Sequence, residues 1–286
     1  MQGSDAGGAL AGAELPQRPS IARIFDYYLG GSSHFEVDRG TAEDLTAVLP
    51  NLRGHVLAVH GFLRRAVRYL VSSGIDQFLD LGTGLSTTGD VHGAAQRADP
   101  CARVAYVDAD PVTVRLAERQ LHDVRGVTVT EADLRQPASV LTAPGVTSVL
   151  DFTRPVGVLA VAALPFITDD AELTGVVAAY RDACPVHSAL VLSHLSPVTA
   201  TPAQISAFGP VAARVGATPA WRSPEDFRSL LDGYEIVEPG LVHTTKWRPE
   251  LDDAAGFPVE AGADTYSAVG QLASRESTGP LRLTLP

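Results

Sequence analysis

From Gly74 onward short apolar runs alternate with helical stretches, and this alternation constrains the fold more than any other feature of the chain. Repeated strand-helix-strand units need crossover connections, which lay successive strands parallel in one sheet with helices on its faces. The first strand is expected at Gln77–Leu81, the second at Val104–Val107 ending on Asp108, and the third at Val127–Val129 ending near Asp133. Between them the pattern predicts helices from about Val91 to Ala98 and from Asp110-Pro111 to about Leu121. Val156 to Ala163 is apolar without interruption, as a central strand buried on both faces would be. A helix over Asp170 to Ala183 and a strand over Ala189 to Leu192 make the next unit. A helix over Pro224 to Leu231, a strand at Tyr234 to Val237 and a last strand within Leu241 to Val269 close the series. The expected class is α/β, a doubly wound, mostly parallel sheet.

The chain before Gly74 follows a different pattern. Residues 1–18 are Gly, Ala and polar residues without periodicity and read as a flexible leader. Residues 19–73 read as a helical cap. Pro19 and Ser20 can start a helix whose Ile21, Ile24, Tyr28 and Leu29 share a face, and Gly30-Gly31 stops it. Asp38 can open a second helix that ends at Pro50. The third, His55 to Ser73, carries the stripe Val56, Val59, Leu63, Val67 and Leu70, with Arg64, Arg65 and Arg68 off it and expected in solvent. Five prolines, Pro197, Pro202, Pro210, Pro219 and Pro224, mark residues 196–224 as an insertion or lid of short helices on the main domain, 74–270. Residues 271–286 read as a mobile tail.

Charge narrows the partners. Twenty-two basic against 33 acidic residues leave −11, a field that disfavours nucleic acid and anionic membrane surfaces. No run approaches the roughly 18 apolar residues of a membrane helix, and no secretory leader precedes the first helix, so a cytoplasmic protein is expected. Cys101 and Cys184 are the two cysteines, expected as buried thiols in a reducing compartment, and no Cys/His spacing suits a metal.

The chemistry concentrates at the strand ends. Asp80-Leu81-Gly82-Thr83-Gly84 stands where the first strand turns toward a helix, and glycines there let a ligand lie against backbone N–H groups. A tight turn without a ligand would use the same residues. Asp108, at the second strand end, can accept hydrogen bonds from ribose hydroxyls, while Asp110 before Pro111 also suits a helix cap. Asp133, after the third strand, can accept from an adenine amine. Three such groups at successive strand ends favour an adenosine ligand. A dinucleotide needs Gly-x-Gly-x-x-Gly, but Thr87 holds the sixth position, and Lys246, the sole lysine, is far from any phosphate loop. Asp80 would repel phosphate but can orient an amino group. S-adenosylmethionine, with an amino group and a sulfonium but no phosphate, fits this set. A nicotinamide cofactor remains the alternative.

The segments Phe78-Leu-Asp-Leu-Gly-Thr-Gly84, Val104-Ala-Tyr-Val-Asp-Ala-Asp-Pro111, Ala132-Asp-Leu-Arg135 and Asp151-Phe-Thr-Arg-Pro155 resemble the actinobacterial S-adenosyl methyltransferase family. So do Ile24-Phe-Asp-Tyr-Tyr-Leu-Gly-Gly31, Ser193-His194 and Glu238-Pro-Gly240. The resemblance spans about Pro19 to Gly270. It implies a Rossmann-like sheet of the class I methyltransferase type, S-adenosylmethionine as cofactor, and an N-terminal cap lying over it. Arg23, Tyr28 and Gly31 of the cap are expected to enclose the cofactor, with Thr83, Ala109 and Leu134 completing the wall around Asp80, Gly82, Gly84, Asp108 and Asp133. Two departures stand out. Leu164-Pro165-Phe166 replaces the family's usual Leu-His-Phe, and Ala268-Val269-Gly270-Gln271 replaces a Gly-Val-Gly-Arg-Lys-like stretch.

Methyl transfer asks the protein chiefly to align a nucleophile and exclude water, with a general base where the acceptor must lose a proton. His194, after the fifth strand, is the candidate base, expected at the mouth of the cleft. His34 is a second candidate, Asp169-Asp170 is either a base pair or a helix cap, and Tyr27 and Tyr28 could cover adenine or belong to the core. Two classes stay open: a methyltransferase, and a protein that binds the cofactor for sensing or assembly without turnover. The expected acceptor is a small neutral or weakly cationic molecule between the cap and the 196–224 insertion.

Overall fold

A computed structural model describes residues 16–85, 90–216, 218–249 and 264–273. Three helices come first, α1 (Ile21–Leu29), α2 (Glu36–Val48) and α3 (Leu52–Ser72). The alternating part follows as β1 (Gln77–Leu81), α4 (Asp90–Ala98), β2 (Arg103–Asp108), α5 (Pro111–Leu121), β3 (Val127–Glu131), α6 (Pro137–Thr142), α7 (Pro144–Thr147) and β4 (Gly157–Ala160). After it come α8 (Asp170–Asp182), β5 (Ala189–Leu195), α9 (Pro202–Ala212), α10 (Pro224–Ser229), β6 (Glu235–Ile236), β7 (Val242–His243) and β8 (Thr265–Gln271). The sheet order is β3-β2-β1-β4-β5-β8-β6, with β7 also on β8. β1 to β5 are mutually parallel, and β8 enters antiparallel beside β5. The doubly wound, mostly parallel class I methyltransferase sheet is therefore present, with a helical block ahead of it.

Strand alternation divides the core between the two faces. Phe78, Tyr106, Leu159 and Val191 meet Phe62, Ala66, Val67 and Leu70 of α3, while Leu79, Leu81, Val107 and Leu192 meet Leu173, Val177 and Tyr180 of α8. Asp80 and Asp108 share the parity of Phe78 and Tyr106, so both carboxylates emerge on the α3 face. A third cluster joins Ile24, Tyr28, Leu45 and Val56 to Phe208 and Ala212 of α9, so the proline-rich segment leans on the N-terminal helices.

Several expectations need correction. β4 stops at Ala160 rather than Ala163, because Ala162 turns into the left-handed region (φ 60°) and Leu164–Phe166 coil into a 3-10 turn. Ser20 caps nothing with its side chain; its N–H instead donates to Asp38 Oδ1 at 2.9 Å. Arg65 is buried, donating from Nε to the Trp247 carbonyl at 2.7 Å and from a terminal nitrogen to the Thr244 carbonyl at 2.8 Å. It ties α3 to the segment before β8, 182 positions away in sequence. Cys101 is exposed and Cys184 half-buried, neither the buried thiol expected.

Candidate functional site

The β1 loop is built on two left-handed glycines, Gly82 (φ 71°) and Gly84 (φ 60°). Gly82 N–H and Thr83 N–H both donate to the Val107 carbonyl, at 2.9 and 3.2 Å, which folds the loop against the end of β2. A Cβ added to Gly82 would stand 2.6 Å from Ala163 Cβ, whereas one at Gly84 would meet nothing closer than Ala22 at 3.6 Å. Glycine is therefore needed at 82 for backbone angle and for room against Ala163, and at 84 for backbone angle. Thr87, expected to break the dinucleotide pattern, lies outside the described residues.

Three acids stand at the strand ends as expected. Asp80 accepts a hydrogen bond from Thr83 Oγ1 at 2.6 Å. Asp108 accepts from Gly84 N–H at 2.8 Å and from Asp110 N–H at 2.9 Å, so it holds the glycine loop to the start of α5. Burial pushes its carboxyl up, against those two backbone hydrogen bonds. Asp110 caps α5 through Val112 N–H (3.1 Å) and also accepts from Thr113 Oγ1 (2.7 Å). Asp133 forms a bidentate pair with Arg135, whose guanidinium holds it below the usual carboxylate range.

Asp80, Gly82, Thr83, Gly84, Asp108, Ala109, Asp133, Leu134 and Arg23 all line one cleft of about 960 Å³. Ligand sites run to about 1,000 Å³, so this one has room for a cofactor and an acceptor together. Its fit to a ligand can be judged by charge. Asp80, Asp108, Asp110 and Asp133 lie on its wall at the strand ends, and Arg18, Arg23 and Arg214 line it from the N-terminal segment and the Ala213–Gly216 turn, with Arg23 already paired to Asp110. At the strand ends those acids would repel a pyrophosphate and attract the cationic amino group of an adenosine ligand.

The N-terminal block borders the cleft through residues 16–23, Phe25 and Leu29. Arg23 is its fulcrum. Nε pairs with Asp38 at 2.8 Å, one terminal nitrogen with Asp110 at 3.2 Å, and the other donates to the Arg18 carbonyl at 2.8 Å. One side chain thus ties two cap helices to the loop beside Asp108. Tyr28 and Gly31 do not line the cleft, contrary to expectation. The Tyr28 hydroxyl donates to the Ala42 carbonyl at 2.7 Å within the cap core, and burial pushes its pKa up to about 12. A Cβ on Gly31 would overlap the Asp26 carboxylate, which accepts from Ser33 N–H at 2.7 Å and meets His34 Nδ1 at 3.0 Å. Gly31 therefore shapes the loop behind α1, and His34, packed edge-on to Tyr27, belongs to that loop rather than to the cleft.

Behind the cleft lies a smaller chamber of about 70 Å³, with Ile21, Phe25, Val59, Ala162, Phe166 and Val215 forming walls of both. Pro165 also lines it, and its carbonyl accepts from Ala220 N–H at 2.7 Å. His194 borders this chamber and not the mouth of the cleft. It is 2% exposed. Arg222 has only donors, so His194 Nε2 accepts from it at 2.9 Å and Nδ1–H donates to the Leu195 carbonyl at 2.8 Å. Burial, helped by the Arg222 charge, lowers its pKa to about 4. Both ring nitrogens are committed, so no lone pair is left for the base role expected of it. Asp169 caps α8 through Glu172 N–H at 2.7 Å, and Asp170 pairs with Arg222 at 2.7 Å, so that acidic pair is structural.

His55, in the first turn of α3, was not among the sequence candidates. It is 4% exposed, borders the chamber, and neither ring nitrogen has a hydrogen-bond partner. Its Nε2 stands 3.7 Å from Asp264 Oδ2, and burial lowers its pKa against that carboxylate. Asp264 itself accepts from the N–H groups of Val198 (3.0 Å) and Ala200 (2.9 Å) and from Thr199 Oγ1 (2.6 Å). The available signal was a titratable residue on the buried stripe of α3, four positions before Val59.

Comparison with known proteins places these features in context. The sequence profile of the S-adenosyl methyltransferase family matches residues 14–273. The chain is similar to the crystal structure of a candidate methyltransferase from Thermobifida fusca, at 34% identity over 90% of this chain and 96% of that one, with a TM-score of 0.81. It is also similar to a DUF574 family protein from Streptomyces avermitilis, at 32% identity over 90% and 98% of the two chains, with a TM-score of 0.82. A comparison with curated proteins gives no match.

Proposed function

The chain belongs to the S-adenosyl methyltransferase family, and from that premise we propose that it methylates a small molecule held between the N-terminal helices and the Ala213–Gly216 turn. It is an S-adenosylmethionine-dependent methyltransferase. The cofactor supplies a methyl group already activated on a sulfonium. What remains for the chain is to bind, orient and keep water out.

In our reading Asp108 accepts from the ribose hydroxyls, Asp133 with Ala109 and Leu134 borders the adenine, and Asp80 with Thr83 orients the amino group. Gly82 and Gly84 let the ligand approach the backbone. Arg23 is a positioning residue that holds the cap over the site; Tyr28 and Gly31 support it from behind. His194 is a strut between β5 and Arg222. The observation that carries this reading is the convergence of the glycine loop and three strand-end carboxylates on one 960 Å³ cleft roofed by α1. A small acceptor is supported by that enclosure and by the net charge of −11, which disfavours nucleic acid. We place the reaction in the cytoplasm, a reading supported by the two free cysteines; no described helix is long and apolar enough to cross a membrane.

Incubating the protein with methyl-labelled cofactor and a size-fractionated extract tests the proposal. Label should accumulate in the small-molecule fraction. Label confined to protein or nucleic acid would overturn the acceptor assignment.

A further inference from the structure

The walls of the inner chamber say what it can hold. Its polar side chains are spent on the protein itself. The Tyr28 hydroxyl donates to the Ala42 carbonyl, Ser193 Oγ accepts from Ala162 N–H at 2.9 Å, both His194 nitrogens are hydrogen-bonded, and Thr265 has a partner. Both His55 ring nitrogens are buried out of reach. Pro165 has no N–H, and its carbonyl is taken by Ala220 N–H. The surface that the chamber presents is therefore almost entirely carbon.

Sheet order sets this chamber apart from the adenosine half of the cleft. In the order β3-β2-β1-β4-β5, Asp133, Asp108 and Asp80 belong to the ends of β3, β2 and β1. The chamber instead draws Ala162, Pro165 and Phe166 from beyond β4 and Ser193, His194 and Leu195 from β5. It is not a closed cavity, and Ile21, Phe25, Val59, Ala162, Phe166 and Val215 line both it and the cleft, all but Val59 half-buried.

We propose that the chamber is the specificity pocket for the methyl acceptor, and that the acceptor ends in a short aliphatic group of about three carbons, isopropyl or propyl, which enters it. The rest of that molecule, including the atom that takes the methyl group, stays in the cleft. The inference rests on the reading of the cleft as the site of methyl transfer. At about 70 Å³ the chamber is roughly half the size of an apolar cavity of about 150 Å³ that admits one benzene ring, so it has room for an isopropyl group and not for a ring. An ammonium, carboxylate or hydroxyl would give up its water there and find no polar group to replace it. The charged end of the cofactor is excluded on the same ground, which leaves the acceptor as the source of the occupant.

The full-length protein, saturated with S-adenosylhomocysteine, should be exposed to benzene, toluene, ethylbenzene, isopropylbenzene and tert-butylbenzene, with binding read by headspace partitioning. The phenyl ring stays in the cleft and the alkyl group probes the chamber. Affinity should rise about fourfold for each carbon added up to isopropylbenzene and no further. Benzoate and benzylammonium should bind at least about 100-fold more weakly than isopropylbenzene. Val56 and Ala212 line the chamber and not the cleft. Val56→Ala should move the optimum to tert-butylbenzene and Ala212→Val should move it to toluene or ethylbenzene, in whichever of the two keeps S-adenosylhomocysteine affinity within about twofold of wild type, the sign of an intact fold. With methyl-labelled cofactor and a small-molecule extract, isopropylbenzene should suppress labelling and benzoate at the same concentration should not. Four results would overturn the proposal: flat affinity along the alkyl series, a charged probe within about tenfold of isopropylbenzene, an optimum unmoved in the folded variants, or labelling untouched by saturating isopropylbenzene. Failure of the wild-type protein to bind S-adenosylhomocysteine would instead bring down the reading of the cleft on which the proposal rests.

Discussion

Gly82→Ala perturbs the loop on which the site is built, and its cost can be worked from two observations. The backbone at 82 has φ 71°, where an L side chain costs about 1–2 kcal/mol. The new Cβ would lie 2.6 Å from Ala163 Cβ, against a comfortable carbon separation of about 3.5–4.0 Å, so one segment must retreat by about 1 Å. Overpacking of that kind costs about 1–3 kcal/mol. The sum, about 2–5 kcal/mol, should appear in urea unfolding as a lower midpoint at unchanged slope. Because Gly82 N–H and Thr83 N–H hold the loop on the Val107 carbonyl, cofactor affinity measured by calorimetry should fall at least about tenfold. Ala163→Gly isolates the contact. Alone it is mildly destabilising, but combined with Gly82→Ala it should recover about 1–3 kcal/mol and leave the backbone-angle cost. A coupling below about 0.5 kcal/mol in that double-mutant cycle would refute the argument that Ala163 is what limits position 82.

Arg23→Met leaves the buried Asp38 carboxylate without its guanidinium and should cost about 3–5 kcal/mol in urea unfolding, with weaker cofactor binding by calorimetry. Arg23→Lys, which restores charge but not the fork, should fall between the two. His194 supplies a pH test. Its pKa is about 4 in the fold against 6.5 ordinarily, so between those values the unfolded chain binds the extra proton and stability falls with pH. Roughly 3 kcal/mol should be lost over that window and no more below it. His194→Gln, whose amide oxygen can still accept from Arg222, should remove this share of the slope in unfolding curves measured across the window; an unchanged slope would contradict the buried neutral imidazole.

Strand periodicity made much of this legible. Gln77–Leu81 matches β1, and Asp80, Asp108 and Asp133 stood out because they interrupt or end apolar runs where strands meet loops. The end of β4 did not, since the run Val156–Ala163 stays apolar while the backbone turns at Ala162. The antiparallel insertion of β8 was equally hidden, because apolar content carries no strand order. Helical periodicity gave Tyr28 a buried face without saying that its neighbours are Ala42 and Thr46 rather than a ligand. His194 looked available because Arg222, which occupies its Nε2, lies 28 positions away. Arg65 looked solvated for the same reason, its carbonyl partners being almost a full domain distant. His55 was passed over because a polar residue on an apolar stripe reads as an exception until the chamber beside it is visible.

The central claim is that Asp108 and the glycine loop hold S-adenosylmethionine in the 960 Å³ cleft. Calorimetry on the wild-type protein and Asp108→Ala, with S-adenosylmethionine, S-adenosylhomocysteine and NAD as titrants, tests it most directly. The account predicts that the wild-type protein binds the two S-adenosyl ligands and not NAD. Asp108→Ala should weaken both by about 1.5–3 kcal/mol for each charge-assisted hydrogen bond lost. Equal affinity in wild type and Asp108→Ala, or tighter binding of NAD than of S-adenosylmethionine, would contradict it.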